Sequence, residues 1–211
     1  MKFDLSLYLV TDRSLSKGRP LEWIVDESVK GGVTMVQLRE KQATTREIVE
    51  LALRLRAKLH PLGIPLIIND RLDIALASHA DGLHIGQNDM PYELARHLLG
   101  KDKIIGLSVE NMEQVRHANK LDVDYIGISP IFITNTKTDT QSPFGLTGTS
   151  QAAAITRHPS VAIGGINEMN ARQIVEAGAN GIAVVSAIMS ADDPMKAAQK
   201  LKQQLNANEL E

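Results

Sequence analysis

Pro65-Leu-Ile-Ile-Asn-Asp70 and Gly82-Leu-His-Ile-Gly-Gln-Asn-Asp89 are two short apolar runs that each close on a carboxylate, with Asp73-Ile-Ala-Leu-Ala-Ser78 between them. The middle segment reads as a short helix and the outer two as strands, so the stretch is strand, helix, strand. If the strands are parallel neighbours, Asp70 and Asp89 meet at one end of a sheet. Paired acids in that position suit an oxygen-liganded divalent cation such as Mg²⁺. The alternative is structural: Asp89 would cap the helix at Pro91, and Asp70 would close a turn.

The same unit repeats on both sides. Leu5–Val10 reads as a strand ended by Thr11 and Asp12, and Pro20 opens a helix that Gly31 and Gly32 close. Met35 to Glu40 is a second strand. Thr44 and Glu47 form a capping box for a helix whose apolar stripe is Ile48, Leu51, Ala52, Leu55 and Leu59. After the opening stretch come a helix over Tyr92–Leu99, a strand over Lys103–Ser108, a helix capped by Asn111 and Gln114 that runs to Lys120, and a strand over Tyr125–Ser129. Pro130 to Thr147 then reads as one long loop, of a length usually kept for function, with Gly145 and Gly148 as candidate hinges. A helix over Ser150–Arg157, a strand over Val161–Ile163, a helix from Met169, a strand over Gly181–Val185 and a helix from Pro194 complete the chain.

Eight alternating units imply a parallel sheet. Without a composition break, 211 residues fit one minimal (β/α)8 TIM barrel as a single α/β domain over 1–211. A doubly wound open sheet fits less well, because the first strand ends in Thr-Asp rather than a glycine fingerprint.

Composition narrows the function. With 23 Lys plus Arg against 25 Asp plus Glu, the formal charge is −2, so neither nucleic acid nor an anionic membrane is drawn by general electrostatics. An anionic ligand must be held by local cations. The chain has no cysteine, which excludes disulfides and thiolate chemistry and fits a reducing, cytoplasmic setting. No apolar run is long enough for a signal core or a membrane span.

In a barrel of this kind the chemistry lies at the C-terminal strand ends. Gln37, Arg39 and Lys41 alternate along the second strand and share one face, while Val36 and Leu38 take the other. Two cations and an amide at the barrel mouth call for an anion, although Arg39 could instead pair with Glu40 or Asp12. Thr134-Asn-Thr-Lys137 in the long loop offers hydroxyls and an ammonium to phosphate oxygens. Ser108 ends the fifth strand. Gly164-Gly165 and Val185-Ser186, after strands seven and eight, match the phosphate position common in such barrels. Two anion sites therefore face each other, which implies two phosphorylated small-molecule substrates or one with two phosphate ends.

A diphosphate beside Asp70 and Asp89 would repel them by roughly 4 kcal/mol per charge pair at 4 Å and an effective dielectric of about 20. A bridging divalent cation removes that conflict, so the strand-two cations favour the metal reading of the acids. His84, within the fourth strand, reads as a packed, hydrogen-bonded histidine.

Taken in order, Gln37-Leu-Arg-Glu-Lys41, Ile68-Asn-Asp70, Asp81-Gly-Leu-His-Ile-Gly-Gln87, Thr134-Asn-Thr-Lys137, Gly164-Gly-Ile166 and Val185-Ser-Ala-Ile188 resemble the thiamine-phosphate synthase (thiamine-phosphate pyrophosphorylase) family, over Tyr8 to about Ala198. The resemblance implies a transferase that joins a pyrimidine diphosphate to a thiazole phosphate and releases pyrophosphate with Mg²⁺. It implies Gln37 at the pyrimidine, and Arg39, Lys41, Asn69, Ser108 and Lys137 at the diphosphate. Asp70 and Asp89 would bind Mg²⁺, and Thr134, Thr136, Gly165, Val185 and Ser186 the thiazole phosphate. The implied mechanism is dissociative and needs no protein nucleophile. The chain departs from the family pattern with Ser129 in place of Gly and Ile133 in place of Pro. A thiazole tautomerase of the same superfamily and a non-catalytic phosphate-ligand binding protein are the alternatives. Association into a homo-oligomer is left open.

Overall fold

A computed structural model describes residues 3–133 and 142–206. Thr134, Thr136 and Lys137 lie outside the described residues.

Eight strands, β1 (Leu7–Val10), β2 (Met35–Leu38), β3 (Leu66–Asn69), β4 (Gly82–Ile85), β5 (Ile104–Val109), β6 (Tyr125–Ile128), β7 (Ser160–Ile163) and β8 (Gly181–Val184), pair in chain order. Every pairing is parallel, and β1 bonds to both β2 and β8, so the sheet is a closed barrel. Closure leaves no strand edge unpaired. The expected TIM barrel is thus the architecture of the chain.

Two apolar layers follow from the period-two alternation of the strands. Tyr8, Val10, Met35, Ile67, Tyr125, Val161 and Ala183 form the interior cluster. Leu7, Leu9, Val36, Leu38, Leu66 and Ile68 belong to the larger cluster shared with the helices. Val36 and Leu38 therefore face outward as expected, while Gln37 turns inward to Tyr8.

The surrounding helices are α1 (Leu21–Lys30), α2 (Thr45–Leu59), α3 (Leu72–Ala77), α4 (Tyr92–Leu99), α5 (Met112–Ala118), α6 (Gly145–Ile155), α7 (Ala171–Glu176), α8 (Ser186–Met189) and α9 (Pro194–Asn206). The capping box of α2 is formed in both directions between Thr44 and Glu47, and the buried stripe is the one read from the sequence. The last helix, α9, closes the outer ring against α1. A Cβ on Gly31 would lie 2.3 Å from the Met195 carbonyl oxygen, so glycine is what lets the two helices touch.

Three expectations need correction. First, β2 stops at Leu38, short of Glu40, whereas Asp89 lies past the end of β4 at Ile85 as expected. The amide of Arg39 bonds to the Thr11 hydroxyl at 3.0 Å instead of a ladder carbonyl. The amide of Gly86 bonds to the Asp89 carboxylate at 2.6 Å. Side chains thus take the place of the neighbouring strand. Second, α6 begins at Gly145 rather than Ser150, so the long loop is shorter than expected and Gly145 and Gly148 lie in a helix rather than at hinges. Two glycines and two threonines hid its first turns from propensity. Third, the four-residue helix α8 follows β8 directly and was not expected.

Candidate active site

The C-terminal ends of the strands line one cavity of about 310 Å³, a volume suited to small-molecule ligands. Its wall includes Gln37, Arg39, Lys41, Asn69, Asp70, Asp89 and Ser108 on one side, and Gly164, Gly165, Val185 and Ser186 on the other. The two groups of polar residues that the sequence placed at opposite sides of the barrel mouth share this cavity.

Asp70 sits just past β3. Its backbone has φ of 60°, and the amide of Arg71 bonds back to the Asn69 carbonyl at 2.6 Å. Asp70 is therefore the middle of a three-residue turn in a region that L-residues avoid, and strain of that kind gathers at functional sites. The Asp70 carboxyl is pushed up to about 6 by burial first and then by the hydrogen-bonded Asp89 carboxyl, with Lys41 and Asn69 offsetting part of the shift. Helix α4 has no side-chain cap at its start, so Asp89 does not cap it. Asp89 instead closes the turn after β4 through the Gly86 amide.

Among the described residues no three His, Cys, Asp or Glu side chains gather into a metal cage. Two adjoining carboxylates are nonetheless what a Mg²⁺ ion takes from a protein when substrate oxygens and water complete its shell. The raised proton affinity of Asp70 marks a charge conflict that a cation would relieve. The donor set fits the ion.

Arg39 donates to Asp12 at 3.0 Å, and the pair is mostly buried. This is the ion pair weighed as the structural alternative, and it forms on the cavity wall. Glu40 turns away to Arg13 at 2.8 Å. The glycines after β7 both have positive φ, 109° at Gly164 and 67° at Gly165. A Cβ on Gly165 would come within 2.8 Å of the Phe132 side chain. Turn geometry and packing on the 130–133 segment therefore already require them. Of the two departures from the family pattern, Ser129 lines the cavity, whereas the Ile133 side chain is exposed.

His84 is packed and hydrogen-bonded, through Nδ1 to the Tyr125 hydroxyl at 2.9 Å and through Nε2 to the Ser108 hydroxyl at 2.8 Å. Tyr8, Gln87 and His84 also face the cavity, and sequence reasoning did not single them out for it. Gly106 and Gly127, inside strands β5 and β6, carried the available signal. A Cβ on Gly106 would strike the Tyr125 ring at 2.1 Å, and one on Gly127 would lie 3.3 Å from His84. Glycine within a strand marks such close approach.

Comparison with known proteins places the chain in a family. Residues 7–188 match the family model described as thiamine monophosphate synthase. The chain is 55% identical over 200 residues to the thiamine-phosphate synthase of Syntrophomonas wolfei, covering 95% of this chain and 96% of that one. It is 54% identical over 203 residues to the thiamine-phosphate synthase of Albidiferax ferrireducens, covering 96% and 93% respectively. The thiamine phosphate pyrophosphorylase structure from Pyrococcus furiosus superposes with a TM-score of 0.89 at 38% identity, covering 98% of both chains. A 3-hexulose-6-phosphate synthase superposes with a TM-score of 0.66 at 16% identity and shares the fold alone. No helix among the described residues is long and apolar enough to cross a membrane. A closed eight-stranded barrel and full-length similarity to these synthases lead to one conclusion: the chain belongs to the thiamine monophosphate synthase family of transferases.

Proposed function

We propose that this chain condenses 4-amino-2-methyl-5-(diphosphooxymethyl)pyrimidine with a (carboxy)thiazole ethyl phosphate, giving thiamine phosphate and pyrophosphate, with CO2 lost as well when the thiazole carries the carboxylate. The observation that carries the proposal is the Asp70–Asp89 pair beside Arg39, Lys41 and Asn69 on one cavity wall. A tautomerase or a passive phosphate binder has no leaving diphosphate to stabilise, and so no use for paired acids among cations.

In this reading Gln37 orients the pyrimidine. Arg39, Lys41, Asn69 and Ser108 bind the diphosphate, with Lys137 from the loop. The bond between the exocyclic methylene and the diphosphate oxygen breaks, and its electron pair leaves with the diphosphate. The pyrimidine amino group donates electron density to the methylene cation, and the thiazole nitrogen lone pair then forms the new C–N bond. Thr134, Thr136, Gly165, Val185 and Ser186 hold the thiazole phosphate so that its nitrogen faces that carbon. The loops after β7 and β8 are the usual phosphate position in barrels of this fold. Asp70 and Asp89 would hold Mg²⁺, which when bound supplies positive charge to the departing diphosphate. The chain's own work is positioning and charge stabilisation. A nucleophile is not required, in keeping with a chain that lacks cysteine.

The test mixes the protein with both substrates and Mg²⁺ and measures pyrophosphate and thiamine phosphate together. Stoichiometric release of both supports the proposal. Thiazole isomerisation without pyrophosphate would transfer it to the tautomerase reading, and binding without turnover to the passive one.

A further inference from the structure

Five polar side chains run across the barrel interior as one hydrogen-bonded chain. Gln37 Nε2 donates to the Tyr8 hydroxyl at 2.9 Å, Tyr8 meets the Tyr125 hydroxyl at 2.9 Å, Tyr125 meets His84 Nδ1 at 2.9 Å, and His84 Nε2 meets the Ser108 hydroxyl at 2.8 Å. Both ends, Gln37 and Ser108, lie on the cavity wall. The middle is built into the core: Tyr8 is 1% exposed and Tyr125 0%. Gly106 opens the slot for the Tyr125 ring, and Gly127 lies against the His84 ring. Burial holds both phenol protons on, raising each hydroxyl above its ordinary range.

We propose that Tyr8, Tyr125 and His84 are positioning residues: their hydrogen-bond chain holds His84 as the Nε2–H tautomer and so turns the Ser108 hydroxyl proton toward the ligand. Proton counting allows only two polarities for the chain, and the one proposed starts from Gln37 Nε2, which donates. A hydroxyl has one proton to give, and a neutral imidazole has one N–H and one acceptor nitrogen. Gln37 gives a proton to Tyr8, which passes its own to Tyr125. Tyr125 then gives its proton to Nδ1. His84 is left with its proton on Nε2, which it donates to the Ser108 oxygen, and the Ser108 proton is free for the cavity. With Nε2–H committed to Tyr8, the Gln37 carbonyl oxygen is left to accept from the pyrimidine amino group. The reverse polarity would spend the Ser108 proton on His84 and present a bare oxygen to an anion. The choice between the two rests on the proposed pyrimidine-diphosphate reading of the cavity, since only an anionic ligand demands a donor there.

The first readout is independent of activity. Nitrogen-15 NMR of the histidine-labelled wild-type protein, with the His84 signals assigned by their loss in His84→Asn, reports which ring nitrogen carries the proton. A protonated Nε2 with an acceptor Nδ1 is expected; a protonated Nδ1 overturns the proposal. The second readout is kinetic. Ser108→Ala should lower kcat on the order of 100-fold, as loss of a preorganised donor does. Tyr125→Phe should lower kcat about 10-fold, but less than about 2-fold further when Ser108 is already alanine, because residues acting through one group are not additive. Full multiplication of the two losses overturns the proposal. If Tyr125→Phe does not fold, Tyr8→Phe takes its place. Without the Tyr8 hydroxyl the Tyr125 proton is no longer directed to Nδ1, so this variant should shift His84 toward the Nδ1–H tautomer and lower kcat several-fold; an unchanged tautomer with unchanged kcat overturns the relay. A wild-type protein that releases no pyrophosphate would defeat the functional reading, while the tautomer measurement would still decide the polarity of the chain.

Discussion

Replacing Asp70 by Asn should stabilise the metal-free protein while removing its activity. Asn fits the site: its φ of 60° lies in the left-handed region, which Asn tolerates about as well as Asp. The carboxyl of Asp70 is raised from 3.8 to about 6. Below about pH 4 both folded and unfolded chains hold the proton. As pH rises, the unfolded chain releases it first and the folded chain only near 6, so the wild type loses stability across that window. At about 1.4 kcal/mol per pH unit the full loss is ~3 kcal/mol. Asp70 is only partly buried, and solvent screening reduces this to about 1–2 kcal/mol. The Asn variant suffers no such loss. For a chain of this length that is a Tm gain of about 2–8 °C at pH 8, shrinking toward zero at pH 4. Thermal melts of both proteins across pH 4–8, in chelator, measure it. Saturating Mg²⁺ should then raise the wild-type Tm and leave that of the variant unmoved. A variant destabilised equally at pH 5 and pH 8, or raised equally by Mg²⁺, would refute the reasoning and return Asp70 to a purely structural turn.

Three further perturbations probe the rest of the barrel. Gly106→Ala would place a methyl 2.1 Å from the Tyr125 ring and should destabilise by about 3 kcal/mol or more, read by denaturant unfolding. Thr44→Ala removes the α2 capping box and should cost about 1 kcal/mol without changing kcat or KM. Asp12→Asn keeps the side-chain acceptor for the Ser14 amide but drops the charge that Arg39 pairs with. Inhibition by pyrophosphate should tighten several-fold, as titration in the steady-state assay would show, because Arg39 no longer has a competing carboxylate.

The sequence by itself determined the fold class and most of the candidate site. Eight alternating strand and helix signals, several with a cap or glycine stop, admit few architectures other than the barrel, and alternation along β2 places Gln37 and Arg39 on one face. Both signals are local, so one chain suffices to read them. What it could not show is which side chains meet across the barrel. Tyr8 and Tyr125 are 117 positions apart and bond at 2.9 Å, and Arg39 reaches back to Asp12 at 3.0 Å. The end of β2 was misjudged for the same reason. β2 stops where the Thr11 hydroxyl takes over a backbone amide, and the turn after β4 is closed by the Asp89 carboxylate. Contacts of that kind depend on ring closure, which sets eight strand ends around one cavity, and only the tertiary structure decides them.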